Sequence, residues 1–193
     1  MKKFELTNEF VTNMFGTKLF RIRALVEFGD VEAGELGGYV EKESNLGHDD
    51  NAWVYDNAWV SGNAQVSGNA LVYGNAWVYG DARVYGDALV YDNAQVSGDA
   101  RVCGDARVCG NGDYAYAHGF GSVNRTTTFF RLKDGGVGVR CGCFYGTLAQ
   151  FRDKIRETHG ETKKAQEYLM LADLMELRFE EDENEVGNRK YVE

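Results

Sequence analysis

The chain has 193 residues, a formal net charge of −9 and no proline, and it is long enough for one extended domain or two small ones. The negative charge disfavours nonspecific binding to nucleic acids and to anionic membranes, because both are negatively charged themselves. No stretch approaches the ~18 apolar residues of a membrane span, and the start MKKFELTNEF lacks an apolar signal region. We therefore expect a soluble, cytoplasmic protein.

Residues 1–50 predict an N-terminal β cap. Two strand-like runs, 10–15 and 19–28, are joined by a turn at residues 14–17. Farther along, Leu36, Val40 and Leu46 are two residues out of phase with Val54. This offset predicts a first irregular coil whose register is reset at residues 48–50. A repeat array needs such atypical ends to shield its open strand edges.

Residues 51–110 are ten consecutive hexapeptides without an insertion: NAWVYD, NAWVSG, NAQVSG, NALVYG, NAWVYG, DARVYG, DALVYD, NAQVSG, DARVCG and DARVCG. The second residue is always Ala and the fourth always Val, so both point to the same side of a short strand. The last residue is Gly in eight units and Asp in two, and the first is Asn or Asp. These residues tolerate the positive φ of a chain that turns every six residues. The pattern predicts a parallel β-helix.

The repeats resemble the left-handed hexapeptide β-helix, whose units read aliphatic-x-Gly-Asn/Asp-Ala-x. The resemblance implies three hexapeptides per triangular coil, and thus a β-helix over residues 51–112 that is about 15 Å tall. Outward residues eighteen apart then stack into columns on three faces. Face one carries an apolar and aromatic strip, which soluble monomers rarely leave in water. We predict that the strip forms a homotrimer interface; alternatively, the C-terminal segment folds back over it. The strip comprises Trp53, Tyr55, Leu71, Tyr73, Leu89 and Tyr91.

After residue 110 the repeat decays, and Tyr114 and Phe120 keep the Val phase, as one or two degenerate units would. Two strand-like runs, 126–132 and 137–143, flank a hairpin signal at residues 133–136. Thr147 is a predicted N-cap of a helix that ends at Gly160, and Thr162 begins a second helix. We therefore expect a small α+β unit over residues 113–180, followed by an acidic tail at 181–193. The fold class is mainly β, with a β cap before the β-helix and this unit after it.

Two segments, FRIRALVEFGDVEAGELGGYVEKESNLGHDDNAWVYDNA and GSVNRTTTFFRLKDGGVGVRCGCFYGTLAQFRDKIRETHG, resemble bacterial and bacteriophage proteins described as hexapeptide-repeat or polymer-forming. The resemblance implies a phage or prophage setting and, with it, the cytoplasm of a bacterial host. It implies no firm activity.

The hexapeptide β-helix class includes two kinds of enzyme, acyltransferases and carbonic anhydrases, and both depend on histidine. Its acyltransferases use a His general base, and its carbonic anhydrases hold zinc with three His ligands. The ten regular units contain no His, and His48, His118 and His159 form no paired motif. Cys141-Gly-Cys143 is too tight for ordinary zinc spacing, so we expect free thiols at Cys103, Cys109, Cys141 and Cys143. No catalytic residue, metal or cofactor is predicted.

Two groups of polar residues are candidates for ligand binding. The loop after Gly121 offers Ser122, Asn124, Arg125 and Thr126, a mixture that suits an anionic or phosphorylated ligand. On face three, Arg83 and Arg101 stack, and Tyr85 lies beside them. We expect both groups to line a groove between protomers. The alternative is that Arg125 pairs with a carboxylate and that the Arg column is a solvated face.

The first functional hypothesis is a non-catalytic oligomer that sequesters a small, nucleotide-like host signalling molecule, by analogy with phage-encoded sponges of bacterial immune signals. The second is an assembly scaffold that binds a protein through its aromatic face. The third is a reduced hexapeptide acyltransferase. A body that imitates DNA is a weaker fourth, because much of the charge lies in the tail.

Overall fold

The computed structural model describes residues 2–121 and 124–180. It is mainly β: a parallel β-solenoid of about four turns is followed by an antiparallel sheet that carries two helices. The N-terminal strands are β1 (Phe4–Thr12), β2 (Lys18–Ala24) and β3 (Leu36–Val40). β1 and β2 form an antiparallel hairpin, as predicted, and β2 pairs antiparallel with β3. β1 begins earlier than predicted because Phe4 and Leu6 pair with Ala24 and Ile22.

Ten two-residue strands form the walls of the solenoid. They are β4 (Trp53–Val54), β5 (Trp59–Val60), β6 (Gln65–Val66), β7 (Leu71–Val72), β8 (Trp77–Val78), β9 (Arg83–Val84), β10 (Leu89–Val90), β11 (Gln95–Val96), β12 (Arg101–Val102) and β13 (Arg107–Val108). Each pairs in parallel with the strand eighteen residues away, so that Val54, Val72, Val90 and Val108 form one ladder. The predicted coil of three hexapeptides is confirmed. The Ala and Val residues of all ten units are fully buried.

The corners explain the last residue of each unit. This residue has a positive φ in the first nine units, including 52° at Asp56 and 73° at Gly86. Successive corners also stack closely: a Cβ at Gly86 would lie 2.8 Å from the backbone nitrogen of Gly104. Only glycine satisfies both demands at Gly86, since it lacks the Cβ that would collide.

The first coil carries the predicted change of register. Val40 pairs with Val60 and Leu46 with Val66, twenty residues apart, whereas Val54 pairs with Val72, eighteen apart. Two extra residues are therefore absorbed between Leu46 and the first regular unit.

Side chains from the N-terminal segment satisfy carbonyl groups that the first coils leave without a strand partner. Lys3 is buried, with 3% of the residue exposed, and its ammonium group donates to Ala52 O at 2.8 Å and to Asp50 O at 3.2 Å. The buried amide of Asn45 donates to Gly62 O and Ala64 O at 3.1 and 2.8 Å. A buried carbonyl without a donor is costly, so these two side chains close the ladder in place of a further strand.

The last coil presents the opposite problem, because its N–H groups have no next coil to bind. Acceptors from the C-terminal part take their place. Arg101 N–H donates to Thr128 Oγ1 at 2.9 Å, and Ser97 N–H to the Tyr114 hydroxyl at 3.3 Å. Asp113 Oδ2 accepts from the backbone of both Cys109 and Gly110. The C-terminal part is therefore hydrogen-bonded onto the open end of the solenoid.

The C-terminal sheet runs in the order β14 (Tyr114–Phe120), β15 (Arg125–Arg131), β16 (Val137–Cys141) and β17 (Phe144–Thr147), all antiparallel. The expectation that Tyr114 and Phe120 extend the solenoid is wrong: both lie in β14, which pairs with β15. The predicted run 137–143 is shorter in the structure: β16 ends at Cys141, because the chain turns at Gly142, where φ is +60°, and continues into β17.

Two helices cover this sheet where the sequence predicts them: α1 (Leu148–His159) and α2 (Lys163–Phe179). Thr147 caps α1 by accepting from Gln150 N–H, whose side chain accepts in return from Thr147 N–H. Buried side chains of the sheet and of the two helices form a second hydrophobic core, separate from that of the solenoid. In this core, Phe151 and Tyr168 pack edge to face. No helix of the described residues is both long and apolar enough to cross a bilayer. The predicted acidic tail lies outside the described residues.

Trp53 is not available to a partner chain, contrary to our expectation for face one. It is fully buried, with the ring of Phe28 at 5.3 Å and that of Phe4 at 6.2 Å, both edge to face. The N-terminal segment therefore covers the start of the strip. The remaining five residues of the strip are only partly buried.

Lys3 gives the N-terminal end a testable pH dependence. Burial lowers its pKa from 10.5 to about 8, so between these values the unfolded chain holds a proton that the folded chain has lost. Stability contributed by Lys3 therefore rises with pH in this window and is constant below it. We expect Lys3→Met to destabilise the protein by about 1–3 kcal/mol, since Ala52 O loses its donor.

The stability difference between wild type and Lys3→Met, from urea unfolding, should grow between pH about 8 and 10.5. The exposed Lys2, changed to Met, is the matched control and should give a small difference that does not change in this way. A Lys3→Met difference that is independent of pH would contradict the assignment.

Candidate functional site

A cleft of about 430 Å³ opens where face three of the solenoid meets the C-terminal sheet. β9 and β12 supply one side of the cleft, and the start of β15 supplies the other. The lining residues are Asp81, Arg83, Asp99, Arg101, His118, Asn124, Arg125, Thr126 and Gly142.

The solenoid register stacks two of the cleft's cations. Arg83 and Arg101 occupy the same outward position of β9 and β12 and pair directly. Strands in such a ladder are ~4.8 Å apart, so two guanidinium groups arise from neighbouring positions and repel each other. Arg101 is partly buried and Arg83 is exposed.

Arg125 brings a third cation from the other side of the cleft. It is the first residue of β15, and its guanidinium lies against Gly142 in the β16–β17 turn. A Cβ at Gly142 would be 2.0 Å from Arg125 Nη1, so this glycine leaves the room that the guanidinium occupies. Gly142 is thus a positioning residue for Arg125.

None of the three guanidinium groups forms an ion pair or donates a side-chain hydrogen bond to any described residue. Other arginines of the chain are engaged: Arg23 pairs with Glu5, and Arg152 pairs with Asp173 and Glu176. The alternative that Arg125 pairs with a carboxylate is therefore not seen among the described residues. Three cations with unused donors in one concave site form a natural receptor for an oxyanion.

The cleft also contains two carboxylates and the imidazole of His118. Asp81 accepts a hydrogen bond from Asn63 Nδ2 at 3.1 Å. His118 Nδ1 lies 2.9 Å from Thr126 Oγ1 and 3.9 Å from Asp99 Oδ2. The two aspartates reduce the net charge of the cleft, which disfavours a very highly charged ligand.

Five of the seven residues proposed from sequence come together here: Arg83, Arg101, Asn124, Arg125 and Thr126. They meet within a single chain, whereas we expected a groove between protomers. Tyr85 does not line the cleft: it packs on the core, with Arg140 Cζ 6.0 Å from its ring centre. Burial, followed by the contact with Cys103, raises its pKa to about 12. Ser122 lies outside the described residues.

Sequence reasoning missed four lining residues. Asp81 and Asp99 were detectable, because each precedes its arginine by two in the same column of the repeat. His118 and Gly142 carry no local signal, since only the antiparallel pairing of β14 to β17 brings them to the cleft.

The three histidines occupy separate places. His48 Nδ1 accepts from Lys3 N–H at 3.2 Å, so Nε2 carries the proton and donates to Glu43 at 2.9 Å. His48 thereby fixes the N-terminal segment, whereas His118 lies in the cleft and His159 stacks on Tyr168. Across residues 2–121 and 124–180, no group of three or more His, Cys, Asp or Glu side chains is arranged to hold a metal ion.

Face one remains a ladder of stacked side chains beyond the buried Trp53. The rings of Tyr73 and Tyr91 are parallel to within 7° at 5.1 Å, and Leu71 pairs with Leu89 beside them. Burial, with the nearby Asp92, raises the pKa of Tyr73. Stacking thus shields much of the strip within one chain, which reduces the apolar area left for a partner.

Comparison with known families supports the fold. The family described as YdcK beta solenoid repeat matches residues 64–80, 82–98 and 94–110. These matches cover less than half of the chain, so the chain is similar to this repeat over the central coils. Comparison with the curated proteins finds no match.

The four thiols should differ in reactivity. Burial and the Asp113 carboxylate, which accepts a hydrogen bond from the thiol with an Sγ–Oδ2 distance of 3.0 Å, raise the pKa of Cys109 to about 11. Burial also raises the pKa of Cys103, whereas Cys143 is exposed. Because the thiolate is the reactive form, we expect N-ethylmaleimide at neutral pH to label Cys143 well before Cys103 and Cys109. Peptide mass spectrometry checks the order, and earlier labelling of Cys109 would contradict it.

Proposed function

We propose that the protein binds a small anionic ligand, which carries a phosphate-type group, in the cleft between face three and the C-terminal sheet. The observation that carries the proposal is the convergence of Arg83, Arg101 and Arg125 without a carboxylate partner among the described residues. Holding like charges together is unfavourable, and a bound oxyanion would relieve that cost. Asn124 and Thr126 add uncharged donors at the rim.

In this proposal the protein is not an enzyme, and it sequesters the ligand. The ligand would be a nucleotide-like signalling molecule of a bacterial host, and the setting would be phage-encoded and cytoplasmic. His118 would hold the wall of the cleft through Thr126 and Asp99, without moving a proton. The support is chemical: the described lining of the cleft is rich in groups that bind an oxyanion.

The test is calorimetric titration with pyrophosphate, followed by a panel of cyclic nucleotides and ADP-ribose derivatives. We expect Arg83→Ala, Arg101→Ala and Arg125→Ala each to weaken pyrophosphate binding by roughly 10- to 100-fold, as loss of a charge-assisted hydrogen bond does. Gly142→Ala should weaken it too, because the new Cβ displaces the Arg125 guanidinium while all three arginines remain in the chain.

Two matched controls should leave binding unchanged. Arg156→Ala removes an exposed arginine elsewhere, and Gly16→Ala places a Cβ at another positive φ, +79°, where nothing lies within 4 Å. Equal loss of binding in variants and controls, or no binding of any probe by wild type, would refute the site. Recovery of a chemically changed ligand after heat release would refute sequestration and would favour the acyltransferase or another enzyme.

The aromatic ladder of face one supports a second candidate, a scaffold that binds a protein partner or a second copy of the chain. Tyr55, Tyr73 and Tyr91 form one partly exposed column, and Leu71 and Leu89 form a second column beside it. A homotrimer through these columns is compatible with the first proposal, since the cleft lies on another face.

Sedimentation distinguishes these states. We expect wild type to sediment as a trimer and Tyr73→Lys/Leu89→Lys to sediment as a monomer, because each lysine would bring a charge into these columns. The matched control is Gln65→Lys/Gln95→Lys, because Gln65 is an outward residue of face three and Gln95 an outward residue of the remaining face, which β5, β8 and β11 form. This control should keep the wild-type mass. A wild-type monomer, or a face-one variant of unchanged mass, would refute the interface.

A further inference from the structure

A second crevice, of about 280 Å³, adjoins the cleft and shares Arg125 with it. Its character is different. Phe144, Phe151, Ile155 and Tyr168 give it a mostly apolar wall, whereas the cleft is lined by charged groups. Among the described residues, Arg125 is therefore the one that lines both the charged cleft and the mostly apolar crevice.

Aromatic rings dominate the wall of the crevice. Phe144 and Phe151 lie 5.5 Å apart between ring centres, and Phe151 meets Tyr168 edge to face at 5.8 Å. His159 stacks on Tyr168 at 6.0 Å. Phe151 and Tyr168 are buried at 4% and 5% exposure, so they form a fixed surface, and the partly buried Phe144 borders the opening.

The polar groups lie at the rim. Lys154 is exposed and pairs with Glu157 at 2.8 Å, and Cys143 is exposed in the turn that also seats Arg125. A concave apolar wall with a few polar groups at its edge is the usual composition of a small-molecule site. The crevice, at about 280 Å³, is smaller than such a site, which typically measures ~300–1,000 Å³, so a ligand larger than phosphate would occupy the crevice and the adjoining cleft together.

We propose that the crevice binds a planar aromatic ring of the same ligand whose phosphate-type group lies in the cleft, so that the ligand class is a nucleotide. This inference rests on the proposed function. Any nucleotide base offers a flat face to aromatic side chains, whichever base it is. Arg125 would contact the part of the ligand that joins the base to the phosphate-type group. A long acyl chain fits less well, because most of the apolar wall of the crevice consists of aromatic rings.

Affinities for four probes separate the two parts: pyrophosphate, ribose 5-phosphate, ADP and octyl phosphate. We expect ADP to bind about 5- to 100-fold more tightly than pyrophosphate, the range that one stacked base contributes. Ribose 5-phosphate and octyl phosphate should lack this gain, because neither carries an aromatic ring. Phe144→Leu keeps an apolar side chain in the core but removes the ring, so it should abolish most of the gain and leave pyrophosphate binding intact. Phe15→Leu, at an exposed hairpin tip, is the matched control.

Wild-type protein gives an independent readout that does not depend on any variant folding. Cys143 lines the crevice, so ADP should slow its reaction with N-ethylmaleimide several-fold, whereas pyrophosphate should not. Equal affinity for ADP and pyrophosphate, equal affinity for ADP and octyl phosphate, or an unprotected Cys143 overturns the ring site while the anion site stands. Failure of pyrophosphate itself to bind overturns the proposed function instead.

Discussion

Every outward feature of this molecule depends on the hydrogen-bonded register between residues eighteen apart. Trp53 N–H donates to Ala70 O, Tyr55 N–H to Val72 O, and the pattern repeats down each wall. Because Ala and Val fill the interior without a gap in the repeat, the register cannot slip by one residue without turning a buried side to the solvent. The consequence is that each outward side chain is stacked on a counterpart from the next coil.

Stacking has different results on different faces. On face one it joins tyrosine to tyrosine, and the rings shield each other. Trp59 and Trp77 stack in the same way, with ring planes parallel to within 6° and ring centres 5.0 Å apart, so each indole ring covers one side of the other. On face three it sets arginine over arginine, where the interaction is repulsive. Within the described residues, only the arginine pair of face three lacks a favourable partner, and this makes face three the candidate for ligand binding.

The open end of the solenoid completes the site. Its free N–H groups need acceptors, and these come from Thr128 and Tyr114 of the C-terminal sheet and from Asp113, which directly precedes it. The same sheet carries Arg125 at the first position of β15, so the element that protects the strand edge also brings the third guanidinium beside Arg83 and Arg101. The docking of the C-terminal sheet on the solenoid thus both protects the strand edge and forms the cleft.

The sequence predicted whatever follows from a local period or cap: the coil of three hexapeptides, the register change after Leu46, the hairpin at residues 14–17 and the cap at Thr147. It also named the three arginines. It could not place Trp53, whose burial depends on Phe4 and Phe28 arriving from the N-terminal segment. Nor could it foresee Gly142 beneath Arg125, because that contact joins two strands with no repeat to fix their register.

The most direct measurement of the central claim is a two-dimensional NMR titration that follows the side-chain Nε–H groups of all arginines as pyrophosphate is added. Saturable shifts at Arg83, Arg101 and Arg125, with one common dissociation constant and little change at Arg23 and Arg152, are the predicted result. Shifts spread evenly over all arginines, or none at these three, would contradict an anion site at the junction of solenoid and sheet.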